Sequence, residues 1–405
     1  MLKAASLIYA IFISLLMGIL CYSLLLVYSL NTNLNDHYDL RNRLLLHNQS
    51  GLAFIAANFN NPENLNNNPI DHNDSNIITY IDQSPWGFFK KYTISTISKN
   101  DTVHQFLLAA NKRFKKTPAL YLRDNDEPLK ISGKTIIKGD VYISKKGLKK
   151  VTISGNNGLE KPLHEGKIYN SNKQLSLPDY LALNYPSNYE LLLLEDLKFS
   201  SLINLFKNKT KVLEVESRLE NIKLKGNIIV TSKDTLTIYK SALLEDIIIE
   251  APKVIFHEGF EGNIQVYASK EVVIKSNVKL LYPSVLFVDS KEDIKKSIVM
   301  EEYSSMYGSL VLLGNGLASE DKNRIIIHQN ALVYGEVICD GKLSLYGIVK
   351  GSVFTSSLLH ETNVTEYDNL LFNSQILRNE FSDDFFQIPT LDDFKSEELI
   401  FVKKI

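Results

Sequence analysis

Cysteine is nearly missing from this chain: Cys21 and Cys339 are its only two in 405 residues, too few for a disulfide framework. Cys21 lies in an apolar run and Cys339 on a core-facing parity, which argues against pairing them with each other. Tryptophan occurs once, as Trp86. Net charge is also close to absent: −1, with no overall electrostatic pull toward nucleic acid. Motif chemistry is lacking too. The chain has no Gly-x-Ser-x-Gly, no phosphate-binding Gly-rich loop, no His-Glu-x-x-His and no Cys/His metal spacing. No cofactor, metal site or catalytic residue is therefore expected. Composition is otherwise ordinary, at 44 % hydrophobic and 22 % charged residues, and the length allows two or three domains.

Charge is also missing locally, and that absence is informative. Between Ala4 and Asn35 no residue is charged, and "LIYAIFISLLMGILCYSLLLVYSL" (7–30) is almost wholly apolar. About 20 such residues span a bilayer as a helix. A cleaved secretory signal would have an apolar core of about 7–15 residues and a small-residue cleavage site, and Tyr28-Ser29-Leu30 makes a poor one. Residues 1–30 are thus expected to be an uncleaved anchor that contacts the lipid bilayer through 7–30. Lys3 is the sole basic residue before the run, which predicts a cytoplasmic N-terminus and an exported remainder. Residues 31–60 continue as an expected helical stalk, because Leu34, Tyr38, Leu45, Leu52, Ile55 and Phe59 recur at helical spacings.

An Asn-rich linker and small β module are expected over 61–117. Nine of the nineteen residues from Asn58 to Asn76 are Asn. The stretch 76–100 alternates as two strands, broken at Ser84-Pro85, with Trp86 as a packing anchor.

From about 118 to 375 the pattern changes to many short strands. Ile228-Ile229-Val230, Ile247-Ile248-Ile249 and Ile264-Gln265-Val266 begin 19 and 17 residues apart. Second beats fall between them at Leu236-Thr237-Ile238, Val254-Ile255-Phe256 and Val272-Val273-Ile274. In "ALVYGEVICDGKLSLYGIVKGSV" (331–353) every odd position from Val333 is small or apolar, with Ile338 and Ile348 as even-numbered exceptions. A single strand of that length would be about 70 Å long, far beyond ordinary strands. Parity that survives repeated turns, with Gly335, Gly341 and Gly347 at corners, predicts a β-solenoid rather than a meander or a sandwich. The expected fold is mainly β: a right-handed parallel β-helix behind a transmembrane helix and helical stalk. "YELLLLEDLKFSSLINLFKN" (189–208) is read as an inserted helix, and 376–405 as a C-terminal cap or tail.

Candidate sites are sparse. His257-Glu258 falls at an expected corner. Asp383-Asp384 and Asp392-Asp393 could hold a hard cation, and Asp124, Asp126 and Glu127 match a calcium loop only in composition. Each of these groups reads more simply as solvated acids or a solvated turn. Along 224–288 the outward residues, among them Thr231, Lys233, Glu250 and Glu271, show no acid or base at a fixed offset. Five Asn-x-Ser/Thr sequons carry no weight in a chain this rich in Asn. Tyr239, Tyr267, Tyr334 and Tyr346 are expected on the outer surface as contact residues.

The alternation and recurrent Gly of "VYGEVICDGKLSLYGIVKGSV" resemble the bactofilins, polymer-forming β-solenoids of the bacterial cytoskeleton. The N-terminal plan is similar to that of type IV pilins and pseudopilins: "MLKAASLIY", one apolar helix, an amphipathic continuation, then a β-rich head. Ala4 and Ala5 stand where that family carries a Gly, and no Glu follows five residues into the helix. These resemblances imply a structural or assembly role in the bacterial envelope. The chain would sit in the inner membrane, with its bulk extracytoplasmic and its solenoid facing envelope proteins or glycans, and with no nucleic-acid partner. The alternative is a membrane-tethered polysaccharide lyase or hydrolase, with acids projecting from one sheet.

Overall fold

The computed structural model describes residues 2–59, 65, 70–71, 76–99, 101–112, 114, 116–153, 162–175, 182–196, 200–289, 292, 294–314, 322–362, 364–388 and 398–405. Most of the Asn-rich linker and Asp392-Asp393 lie outside these residues. The chain divides into two compact units, one of residues 1–83 with 93–105, the other of 84–92 with 106–405.

The first unit is built on one helix, Leu2–Ala57. It has no break where anchor and stalk were expected to meet, since no Pro interrupts the run and its one early glycine, Gly18, sits in open space. The stretch expected as a helical stalk, 31–60, continues the helix to Ala57, and its last turns pack on strands of the same unit. Leu44 is buried against Ile77 and Val103. The Asn48 amide donates to the Ile94 carbonyl (3.2 Å), the Thr96 hydroxyl (3.2 Å) and the Val103 carbonyl (3.3 Å). Gly51 brings the helix backbone close to Ile94; a Cβ there would stand 2.9 Å from its Cγ2.

The second unit is mainly β. Two strands, Ile78–Trp86 and Phe89–Ser98, meet at a turn in this unit, two residues past the expected break. Asp101–Lys112 follows, and the chain returns beside its end much later. Phe386–Gln387 and Leu399–Lys404 both pair antiparallel with residues 107–112. Everything between 112 and 386 is an insertion into this antiparallel sheet.

Most of that insertion is a closed parallel β arrangement of three columns. Leu243–Phe256 supplies all three: residues 243–245 pair with 223–225, 248–250 with 229–231, and 253–256 with 235–238. Glu261–Ile274 repeats the pattern on the next rung. The expected triplets stand in register, Ile229 beside Ile248 and Ile248 beside Gln265. The columns enclose one apolar interior in which Val333, Val337, Cys339, Leu343, Leu345, Val349 and Val353 are all buried, as the odd parity requires. Both cysteines are free thiols.

The bends between columns need glycine. Gly308, Gly335 and Gly351 stand in register on successive rungs. Gly335 has φ +150°, and a Cβ on it would lie 1.8 Å from the Gly308 carbonyl oxygen, so no side chain fits.

The rungs are not laid down in chain order. Val353–Thr355 pair with Leu120–Leu122, which pair with Val141–Tyr142, and Val141–Ile143 pair with Ile168–Asn170. Tyr189–Leu193 begins the opposite end, against Thr210–Glu214. The helix expected over 189–208 is therefore a correction. Its described residues are the strands Tyr189–Leu193 and Ser201–Asn204 around a single 3₁₀ turn, Leu194–Asp196. The Leu run was long enough for either structure, and edge pairing decided it.

The outer side of the middle column is apolar as well. Val212, Ile229, Ile248, Phe287, Val311, Ile338 and Phe354 lie there, covered by Trp86, Phe89, Leu108, Phe381, Phe385 and Phe386. Trp86 meets Phe206 edge to face at 5.1 Å, the anchoring role expected of it. Gln265 holds the turn, accepting from the Phe88 N–H (2.7 Å) and donating to the Trp86 carbonyl (3.2 Å).

Candidate functional site

Two features offer function. The first is the helix from Ser6 onward, whose most apolar 18-residue window has mean hydropathy 2.6 and no buried residue. Leu7, Ile8, Ile11 and Phe12 are all more than half exposed. Three of its hydroxyls bond back within the helix: Ser14 donates to the Ile11 carbonyl, Ser23 to that of Leu20 and Thr32 to that of Tyr28. Such back-bonding is what a helix in hydrocarbon requires, where no water is at hand.

The second is a cleft of about 460 Å³ at the bend after the middle column. In register along it run Glu214, Thr231, Glu250, Tyr267 and Phe287. Rungs stand about 4.8 Å apart, which places Glu214 and Glu250, two rungs apart, at about 10 Å by the same spacing. Lys233 pairs with Glu214 at 2.7 Å, and the Tyr185 hydroxyl donates to Glu250. Burial first, and then Glu250, push the Tyr185 phenol well above its usual range, so it remains a donor. Asp289 closes one side; it is bonded to Lys296 at 3.0 Å, and both side chains are almost wholly buried. A second cleft of about 630 Å³ adjoins, sharing Glu214 and Lys233. With carboxylates, hydroxyls and one partly open ring, the site suits a hydroxyl-rich ligand.

The residues singled out from sequence are dispersed. His257 stacks on Tyr239 at 5.0 Å, and Glu258 accepts from Asn277 at an exposed turn. Asp383 pairs with Arg378 and Asp384 with Lys112. Asp126 pairs with Lys173 and Glu127 with Lys130, while hydrogen bonds from Ser144 and the Asp126 N–H hold the Asp124 carboxyl below its usual range. Among the described residues no group of three metal-ligating side chains forms. The tyrosines expected on the surface need correction. Tyr267 is buried with its ring on Phe88, 4.7 Å away, and Tyr334 packs on Phe381 at 4.9 Å. The apolar outer side of the middle column draws both inward.

Sequence reasoning missed Glu214, Tyr185 and the Asp289–Lys296 pair. It also missed a pattern of opposite charges on adjacent rungs: Lys225–Glu245 at 2.8 Å, Lys253–Glu271 at 2.5 Å and Lys275–Glu301 at 2.6 Å. Matching each outward charge with the residue one rung on, 18 to 26 positions along, would have exposed them.

No protein-family model matches the chain, and no curated protein does. Among solved structures, the competence-associated pilin ComZ from Thermus thermophilus aligns over 84 % of this chain and 85 % of its own, at 8 % identity and a TM-score of 0.22. Likeness at that level carries no argument about this chain.

Proposed function

We propose that the protein is a membrane-anchored structural or assembly component of a bacterial envelope, pseudopilin-like in plan. Residues 7–30 cross the inner membrane with the N-terminus cytoplasmic. The parallel columns form a right-handed β-solenoid, bactofilin-like in its Gly and parity pattern, that offers protein or glycan contacts on the extracytoplasmic side. One observation carries this reading: a fully exposed apolar helix runs without a break into a segment held by its own β strands. An element of that kind delivers a folded head to a membrane surface. The test is alkaline extraction and protease accessibility of the full chain in native membranes, followed by cross-linking and mass spectrometry. Retention in the pellet, external cleavage and recovery of envelope assembly subunits are expected; release into the supernatant refutes the anchor. Leu16→Arg costs insertion about 2.5–3.5 kcal/mol on translocon scales and should lower membrane retention.

A second reading, a tethered polysaccharide-degrading enzyme, draws on the cleft. Inverting glycosidases use carboxyl groups about 6.5–9.5 Å apart; the two-rung spacing of about 10 Å sets Glu214 and Glu250 just beyond that range, within reach of a small side-chain tilt. Turnover of a polysaccharide that disappears in Glu214→Gln and Glu250→Gln would establish it. Its absence across neutral and acidic substrates leaves the structural reading.

A further inference from the structure

Outward charges along most of the parallel stack are matched from rung to rung, as in Lys225–Glu245, Lys253–Glu271 and Lys275–Glu301. One end breaks the rule. Residues 129–173 contain ten lysines against three carboxylates, in a chain whose net charge is −1. Lys130 stands directly in register with Lys149. Like charges placed opposite one another oppose pairing, so a cross-rung Lys–Lys contact is a cost to the fold rather than a support. Asp126 and Glu127 engage Lys173 and Lys130. No ion pair among the described residues engages Lys145, Lys146, Lys149, Lys150 or Lys167, all of them exposed.

An aromatic column on another side of the stack runs to the same end. Tyr121, Tyr142 and Tyr169 are in register, with ring centroids 5.6 and 4.9 Å apart. Tyr169 lies on the last strand of its column among the described residues and is 39 % exposed. One face of its ring rests on Tyr142, which leaves the other for a ligand. All ten basic groups are lysines and none is an arginine. Residues 129–173 thus present point charges rather than the planar fork that grips phosphate bidentately. Lys149 and Lys150 end one strand, Lys145 and Lys146 fill the turn before it, and Lys167 precedes the strand of Tyr169, so the charges gather at the end of the stack, where a polyuronate can offer one carboxylate on each sugar.

We propose that this end of the stack binds an acidic polysaccharide, with Lys145, Lys146, Lys149, Lys150 and Lys167 pairing its carboxylates and Tyr169 stacking under a sugar ring. This deepens the glycan-contact role and rests on that reading of the protein as extracytoplasmic. Binding and membrane placement are measured separately, so either can fail alone.

The test uses the full chain in a nonionic detergent. Polygalacturonate oligomers are titrated at several salt concentrations, with neutral dextran oligomers and a single-stranded oligonucleotide in parallel. Polygalacturonate should bind, weaken steeply with salt and lose at least tenfold in affinity in the Lys149→Gln/Lys150→Gln double variant. Tyr169→Ala should lose severalfold even at high salt, and Lys253→Gln, in the charge-matched region, nothing. The double variant should melt at or above the wild-type temperature, since it relieves the Lys–Lys contact. The proposal is overturned by no binding at low salt, by binding indifferent to Lys149, Lys150 and Tyr169, or by an oligonucleotide that binds more tightly through the same residues.

Discussion

Replacing Gly335 with alanine tests whether the glycine column holds the rungs together. Two terms oppose the added methyl. Gly335 sits at φ +150°, where a side chain costs about 1–3 kcal/mol in backbone strain. Its Cβ would also lie 1.8 Å from the Gly308 oxygen, and forcing rungs apart adds about 1–3 kcal/mol of overpacking. Together these should lower the local opening free energy by about 3–5 kcal/mol. Gly147→Ala is the control, because Gly147 also has positive φ, +74°, but nothing within 4 Å of a built Cβ; strain alone, about 1–2 kcal/mol, remains. Cys339 reports the result. It is four residues along the same strand, fully buried, with its thiol pushed up to about 12 by burial, so at neutral pH it reacts only when the strand opens. In a Cys21→Ser background, maleimide labelling of Cys339 should accelerate about 100-fold or more in Gly335→Ala, since each 1.4 kcal/mol is about tenfold. Gly147→Ala, with strain alone, should change it by no more than about 30-fold. Equal rates in the two variants would sink the argument, because the clash would then contribute nothing.

Three further outcomes follow from the same geometry. Lys296→Met strands the buried Asp289 carboxylate without its ammonium and should cost about 3–5 kcal/mol, read as a lower urea midpoint; Lys296→Met/Asp289→Leu should recover most of it, and an equally unstable double variant argues against the pairing. The Arg324 hydrogen bond holds the Glu361 carboxyl below its usual 4.5. Its contribution is present above that value and is lost as pH falls through the folded one. The melting temperature of Glu361→Gln should therefore fall less than wild type's on acidification from about pH 5 to about pH 3, and parallel curves would contradict this. Gln265→Met leaves the Phe88 N–H and the Trp86 carbonyl without partners at about 1–3 kcal/mol each, and amide exchange at 86–88 should quicken; unchanged exchange would show that the turn is held elsewhere.

What could be read from the sequence was what repeats. The odd parity of 333–353 predicted the inward side chains because alternation reports directly on burial. Ile338, an exception to that parity, is buried too, since the outer side of its column is itself covered; nothing local announces a covering layer supplied by residues 84–89 and 381–386. Helical spacing located the continuation to Ala57, but packing of Leu44 and Asn48 depends on strands that begin beyond residue 76. The four-leucine run at 191–194 was read as helix because short apolar runs fit both structures. Glu214 and Glu250 were invisible as a pair because their shared column exists only once the register between rungs is known.

The order in which rungs are laid down sets the order in which they can mature. Leu120–Leu122 leave the ribosome more than two hundred residues before Val353–Thr355, the strand against which they pair. Pairings that distant fold slowly, because a long loop must close before any contact is gained. Residues 120–170 thus wait, with one edge open, until the far end of the stack has grown back to meet them. Until that pairing forms, the open edge is the part of the stack most exposed to wrong partners.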